Sequence, residues 1–537
     1  MALNGRASWR DYPSQRDARA GAITLARGSH KIASAPAFQP LYNMVELLNP
    51  EQRAAFDAVL AGRSIFLTGP GGTGKSFLLQ TIYSSYKGRT GKVMAITALT
   101  GCAALLLGPW AKTLHSWAGI GLGKAPAESA ARSIATDAKK KKRWRSTNCL
   151  VIDEVSMLTP YLLEYLDVVA RTVRKCDRPM GGLQVVFVGD FYQLPPVMKA
   201  AEAAALAPGE AEKTFAFESP LWNQIVQETI ELTHIIRQKD PSFQRILNEA
   251  RIGELSPESY AALEARKTMD WKRQEIKPTL LFTKNTDVAA INDNQLRKLT
   301  AGEIRFQAKT TAPARMPADI VQMLVEKLDK DAPYEPELIL KERAQVMLLV
   351  NQDPEAGLVN GSRGVITGFS PTEGWPLVKF LHGPPFPVKV APADWKSDAE
   401  RDEDAVMRTQ VPLRLAYAIT IHKSQGSSLD SALVDVGPST FEYGQAYVAL
   451  SRARSLDSVF IFEIHPRAFR AHPSVKAFYA AEAARTAARV AARAAEQAME
   501  PAAPAGDEEP SSLDGLLRRF EYAPGGRPVV TKSDEPC

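Results

Sequence analysis

Cysteine is scarce. Cys102, Cys149, Cys176 and Cys537 are the only four in 537 residues, widely spaced and with no C-x-x-C pair. That leaves no basis for a disulfide framework or a zinc site and points to a reducing compartment. Long apolar runs are missing as well. No stretch is long enough to cross a bilayer, and the N-terminus lacks the apolar core of a secretory signal, so the expectation is a soluble, intracellular protein with no membrane partner. Neither sign of charge dominates. A net charge of +6 permits a polyanionic partner without demanding one. What remains is a globular composition, 45% hydrophobic and 23% charged, in a chain long enough for several compact units.

Residues 1–44 carry Arg6, Arg10, Arg16, Arg19 and Arg27 against only Asp11 and Asp17. They read as a disordered basic tail whose composition also resembles a mitochondrial transit peptide, although amphipathic spacing is not evident. Order begins with "LNPEQRAAFDAVLAG", where Phe56, Val59 and Leu60 share a helical face after an Asn49-Pro50 start signal. Then "SIFLTG", "KVMAIT", "CLVIDE", "QVVFVGD" and "TLLFT" follow as short β-branched runs, each leading through a turn into a helix-like stretch. This alternation predicts an α/β fold with parallel sheets. Between 344 and 407 the texture changes to "AQVMLLVNQD", "RGVITGF" and "PLVKFLHGPPFPVKV", strands without intervening helices, which suggests an all-β insertion. Near the end, "AAEAARTAARVAARAAEQA" favours helix, with Arg485, Arg489 and Arg493 four residues apart, and 501–537 has a disordered composition.

"GPGGTGKS", Gly69 to Ser76, matches the phosphate-loop pattern in full and stands between a predicted strand and a predicted helix. Gly69, Gly71, Gly72, Thr73 and Gly74 let backbone N–H groups turn inward around phosphate oxygens, Lys75 reaches the terminal phosphates, and Ser76 ligates Mg²⁺. In "CLVIDEVSML" an apolar strand ends in two carboxylates. Asp153 suits the Mg²⁺ shell and Glu154 suits orienting and deprotonating an attacking water. "QVVFVGDFYQLPPV" ends a third strand in Asp190 and Gln193, a neutral side chain placed to sense the γ-phosphate. Charge on a transferring phosphoryl group also needs cations, and Arg237 in "THIIRQKD" and Arg452 in "YVALSRAR" are the candidates.

Taken in order, "LNPEQRAA", "GPGGTGKS", "TALTGCAA", "KTLHSWAGIGLG", "LVIDEVSML", "GDFYQLPPV", "RQKD", "LVNGSRGVI", "TIHKSQG" and "YVALSRA" resemble the PIF (petite integration frequency) family of DNA helicases, related to RecD and Dda within superfamily one. The likeness covers about residues 45 to 465. It implies two RecA-like phosphate-loop domains with ATP between them, single-stranded DNA across their top, and 5′-to-3′ translocation. It further implies a first domain over 45–225 with a small wedge near 105–130, a second over 226–343 and 408–478, an SH3-like β-barrel inserted at 344–407, and a helix and tail over 479–537. Carried over, Gln52 reads the adenine edge, and Lys75, Ser76, Asp153, Glu154, Gln193, Arg237 and Arg452 keep the roles above.

For DNA the resemblance assigns Thr100, Gly101, Thr113, His115 and Trp117, although His115 and Trp117 taken alone also fit structural roles. Hydroxyls, amides and cations on phosphates with aromatic faces on bases hold a single strand without reading sequence, and such binding weakens with salt. "AITIHKSQGSS" adds Thr420, His422, Lys423 and Ser424 on the DNA side, while Gln425 and Gly426 turn the chain toward the nucleotide. The basic run "AKKKKRWR", 138–145, has three open readings: a DNA-facing loop, a nuclear localisation signal or a solvated face. "SSLDGLLRRFEY" looks like a short amphipathic docking motif. The expected partners are single strands, single-strand/duplex junctions and G-quadruplexes, met by a monomer in the nucleus or mitochondrion. An RNA helicase and a binding scaffold without hydrolysis are the alternatives; the intact catalytic set argues against the scaffold.

Overall fold

The computed structural model describes residues 41–499, except 90, 109, 122–124, 197–212, 275, 284, 354–355 and 398–403. Most of the basic N-terminal tail and the segment after 499, with its docking-like motif, lie outside the described residues. Six strands form the first sheet: β1 (Ile65–Thr68), β2 (Met94–Ala98), β3 (Lys112–Thr113), β4 (Cys149–Asp153), β5 (Gln184–Val188) and β6 (Glu228–Glu231). They are ordered β3-β2-β4-β5-β1-β6 and all pair in parallel. Parallel strands buried on both faces need near-continuous apolar runs, which the four inner strands β1, β2, β4 and β5 supply, while the edge strands β3 and β6 are mostly polar. The two-residue side-chain period divides each run between two cores. Ile65, Leu67, Val151, Val186 and Val188 face Phe56, Leu78 and Ile82, whereas Phe66, Leu150, Ile152, Val185 and Phe187 face Trp117, Trp144 and Trp222.

A second parallel sheet is ordered Ala418–Thr420, Thr279–Phe282, Ala432–Val436, Val459–Ile464. Its core takes in Phe243, Ile246 and Leu247 from helix Pro241–Ile252 and Tyr447, Val448 and Leu450 from helix Gln445–Leu450. Between the strands of this sheet the chain makes a β unit. Five antiparallel strands run in the order Val388–Lys389, Pro376–Phe380, Arg363–Phe369, Gln345–Leu348, Leu413–Leu415. Strands on both sides of 344–407 join this unit, because Leu338 and Leu340 before it and Val411 and Leu413 after it are buried with Val346, Leu348 and Ile366.

Helix Pro473–Met499 leaves the second domain and returns to the first. Phe478 packs into the aromatic cluster of Phe66, Phe191, Phe217 and Trp222, and Arg489 donates to the Gln227 carbonyl. Among the described residues no helix is long and apolar enough to cross a membrane.

Candidate functional site

Because β1, β4 and β5 are parallel, the loops that follow them open at one end of the sheet. From β1 the chain turns through Gly69–Ser76 into helix Lys75–Lys87, with Gly74 left-handed at φ 86° as its N-cap. Lys75 Nζ donates to the carbonyls of Gly69 (2.6 Å) and Pro70 (2.9 Å). Burial lowers its pKa to about 8, and the carboxylates of Asp190, Glu154 and Asp153 pull in the other direction. Thr73 is buried with its hydroxyl on the Pro70 carbonyl at 3.0 Å, whereas Ser76 is exposed. Gln52 braces the loop: its Oε1 accepts from Asn49 N–H at 3.1 Å in a capping box, and its Nε2 donates to the Thr73 carbonyl at 3.2 Å.

Asp153 ends β4, and Glu154 turns the chain there in a left-handed conformation at φ 57°. Burial raises Asp153 to about 7, reinforced by the neighbouring Glu154. Glu154 is raised as well, by burial, against the pull of Arg452. Its partner comes from the other domain: Gln425 Nε2 donates to Glu154 Oε2 at 2.8 Å. After β5, Asp190 is fully buried and paired with Arg251, Nη2 to Oδ1 at 3.0 Å, while the Gln193 N–H donates to the Asp190 carbonyl at 2.9 Å.

Arg237 sits directly on the phosphate loop. Its N–H donates to the Gly72 carbonyl at 3.1 Å, and a Cβ on Gly72, which has φ 90°, would come within 2.6 Å of the Arg237 Cβ. Only glycine fits there. Burial lowers Arg237 to about 9, with Arg452 the second cause, and its Nη1 donates to the Ser451 carbonyl at 3.2 Å. Arg452 is buried, donating to the Val448 carbonyl (2.9 Å) and Ser451 Oγ (2.8 Å), with Nη2 3.6 Å from where a Gly71 Cβ would be. Tyr447 accepts from the Gly71 N–H at 2.8 Å. Three cations and two carboxylates thus converge on one backbone cradle, an arrangement suited to a polyphosphate and an activated water. Among the described residues no cluster of His, Cys, Asp or Glu holds a metal by itself. The Ser76 hydroxyl and Asp153 carboxyl are hard oxygen donors, too few for a complete cage, and they fit a cation that arrives with phosphates.

The DNA-side candidates occupy helix starts. Thr100 caps helix Gly101–Leu107 by accepting from Ala103 N–H, Thr113 caps helix Leu114–Ala118, and Thr420 caps helix Ile421–Ser424. His115 and Gly101 are half-buried and Lys423 is exposed, while Ser424 is buried with its hydroxyl on the Ile421 carbonyl at 2.7 Å. Burial lowers the His422 pKa and leaves its Nε2 without a hydrogen-bond partner. Trp117 is buried against Trp144, centroids 4.6 Å apart, so its ring belongs to the core. Gly426, at φ 79°, lies against Leu106 rather than the phosphate loop; a Cβ there would be 2.6 Å from Leu106 Cδ1. The basic run forms helix Ala138–Ser146. Its buried Trp144 donates to the Ala118 carbonyl at 3.0 Å, and Arg143 donates to the Ser116 (3.0 Å) and Trp117 (2.9 Å) carbonyls, so it braces the helix that carries His115. Arg251 carries no local motif signal, and Tyr447, although it opens "YVALSRA", is assigned no role by that motif; only their three-dimensional partners reveal them.

Two family models match the chain: "PIF1-like helicase" over residues 47–256 and "DNA helicase Pif1, 2B domain" over residues 324–369. The human ATP-dependent DNA helicase PIF1 is 41% identical over 435 residues, 81% of this chain and 63% of its own length. The chain therefore spans less than two thirds of that relative. Among solved structures, Pif1 helicase from Candida albicans is 35% identical with a TM-score of 0.65, covering 81% of this chain and 99% of that one. Pif1 from Bacteroides sp in complex with ADP-AlF4 is 27% identical with a TM-score of 0.68, covering 82% and 98%. Sequence and fold agree over nearly the whole length of the fungal structure, and this chain belongs to the PIF1-like helicase family.

Proposed function

We propose that this chain is an ATP-dependent 5′-to-3′ DNA helicase. The observation that carries the reading is the contact across the cleft: Gln425 of the second domain holds Glu154 of the first at 2.8 Å, five residues after the helix-capping Thr420. One short segment thereby spans the DNA-side candidates and the hydrolytic carboxylate. In this mechanism the phosphate-loop N–H groups and Lys75 bind the β- and γ-phosphates, and Tyr447 yields the Gly71 N–H to a phosphate oxygen. Ser76 and Asp153 would hold Mg²⁺, which would supply charge neutralisation to the phosphates. Glu154 orients and deprotonates the attacking water, Arg237 and Arg452 stabilise the charge on the transferred phosphoryl group, and Gln193 senses its presence. Loss of the γ-phosphate removes what draws the two arginines to the loop, so the domains part and the DNA contacts on each change in turn.

The same reading divides the chain into a first RecA-like domain over 45–225, to whose sheet β6 (Glu228–Glu231) is added, with a wedge near 105–130, a second over 226–343 and 408–478, and an SH3-like insertion over 344–407 that is completed by flanking strands. It assigns Gln52 to the adenine edge, Thr100, Gly101, Thr113, His115, Thr420, His422 and Lys423 to DNA, and G-quadruplexes and strand junctions to the targets of a monomer working in the nucleus or mitochondrion. Strand displacement tests it. Duplexes with a 5′ single-stranded overhang are unwound, those with a 3′ overhang are not, and Lys75→Ala abolishes both unwinding and DNA-stimulated ATP hydrolysis. Activity from the 3′ overhang alone overturns the polarity, and ATPase indifferent to any nucleic acid overturns the helicase.

A further inference from the structure

We propose that Tyr479, on the helix that returns from the second domain, is a positioning residue of the ATPase site. Its hydroxyl lies 2.7 Å from Thr68 Oγ1, accepts from the Phe191 N–H at 3.2 Å and lies 3.4 Å from Asp190 Oδ1. Thr68 is the residue before the phosphate loop, and Asp190 and Phe191 open the segment that ends in Gln193. One buried phenol oxygen therefore ties together the ends of two strands that carry opposite sides of the nucleotide site.

The ring makes a second tie. It stacks on Tyr192 at 4.8 Å with an 8° interplanar angle, and the Arg251 guanidinium lies over both rings at 4.8 and 5.4 Å. Arg251 belongs to a helix of the second-domain core. Docking this helix does not require a hydroxyl, since the preceding Phe478 already stacks on Phe217 at 4.2 Å. A purely apolar side chain at 479 would leave the Phe191 N–H unsatisfied in a buried place, which is why a phenol is needed at the strand ends. The hydroxyl fixes the spacing between the phosphate loop and the γ-phosphate sensor. The helix makes that spacing answer to the position of the second domain.

This inference rests on the ATPase reading above, and one experiment separates the two. Steady-state ATP hydrolysis with saturating single-stranded DNA is measured for the wild type, Tyr479→Phe, Thr68→Val and the double variant, alongside thermal unfolding. Wild-type protein without DNA-stimulated hydrolysis fails the earlier reading. With that activity present, Tyr479→Phe is expected to lower kcat about tenfold, the scale of one hydrogen bond in a charged setting, with KM for ATP within about twofold. Thr68→Val is expected to lower kcat as well but by less, since it leaves the Phe191 N–H satisfied, and the double variant to be no slower than Tyr479→Phe, which already removes the shared interaction. Wild-type kcat in Tyr479→Phe, a loss confined to KM, or fully additive effects would overturn the proposal. If Tyr479→Phe unfolds below the assay temperature, Thr68→Val alone decides by the same split between kcat and KM.

Discussion

At the scale of single residues, the cleft is built from charges held away from water, and Lys75 is where that has a measurable consequence. Without an anion beside it the ammonium rests on two carbonyl oxygens, and burial brings its pKa to about 8. The protonated form binds phosphate, and a phosphate beside it raises the pKa again. Affinity for ADP is therefore expected to fall as pH rises through about 8, by up to about tenfold per unit for one linked proton. Calorimetric titration of ADP between pH 7 and 9.5, repeated in buffers of different ionisation enthalpy, shows proton uptake on binding above pH 8. A flat affinity over that range would place the ammonium in water instead. Lys75, Asp153 and Glu154 were legible in the sequence because each belongs to one strand and the turn directly after it. Arg251 was not, since its partner Asp190 is 61 residues away, nor was Tyr479, which lies 289 residues from the same carboxylate. Gly426 shows the opposite difficulty: the need for a glycine was legible, but the neighbour that imposes it, Leu106, belongs to another domain.

Among the elements, the helix Ala138–Ser146 shows how composition hides a role. Four consecutive lysines suggest a solvated face or a nucleic-acid contact, and no periodicity in "AKKKKRWRS" marks a buried side. Yet Trp144 is wholly buried and, with Arg143, satisfies three carbonyls at the end of helix Leu114–Ala118. Those are the carbonyls a short helix leaves without intrahelical partners. Trp144→Ala is thus expected to cost about 3–5 kcal/mol of first-domain stability from the lost ring. Arg143→Ala costs less, about 1–3 kcal/mol, because its removal strands carbonyl acceptors without opening a cavity. Denaturant unfolding gives both values, and a separate titration with fluorescent oligothymidine separates stability from binding. Arg143→Ala is expected to weaken that binding through the loosened helix carrying His115, whereas unchanged affinity would confine the basic run to folding. The inner strands were legible for the reason this helix was not, since a buried parallel strand is apolar at every position, whereas the mostly polar edge strands Lys112–Thr113 and Glu228–Glu231 gave no such signal. The β unit was legible in kind, while its membership was not, because Leu338 and Leu413 join it through packing across the chain.

For the whole molecule, the question is what couples the two sheets. Among the described residues, contacts that tie the two together include Gln425 with Glu154, Tyr447 with the Gly71 N–H, Arg237 with the Gly72 carbonyl on one side and Ser451 on the other, and Arg251 with Asp190. The first three line the nucleotide cleft and have partners that a bound phosphate would replace. The Arg251 pair does not. It is withdrawn from solvent instead, with Asp190 fully buried and Arg251 9% exposed. Breaking such a pair from one side leaves an uncompensated buried charge, and Arg251→Ala is expected to destabilise the protein by about 3–5 kcal/mol. Replacing both partners with apolar side chains of similar size, Arg251→Met with Asp190→Leu, removes both charges and is expected to recover most of that loss. Stability and coupling then come apart. The double variant melts near the wild-type temperature, but its ATPase no longer rises fully on adding single-stranded DNA, because Asp190 no longer anchors the segment that ends in Gln193. Thermal unfolding paired with ATPase assays with and without DNA measures both quantities on one sample. A double variant that is stable and fully DNA-stimulated would show that the three cleft contacts alone transmit the signal between domains.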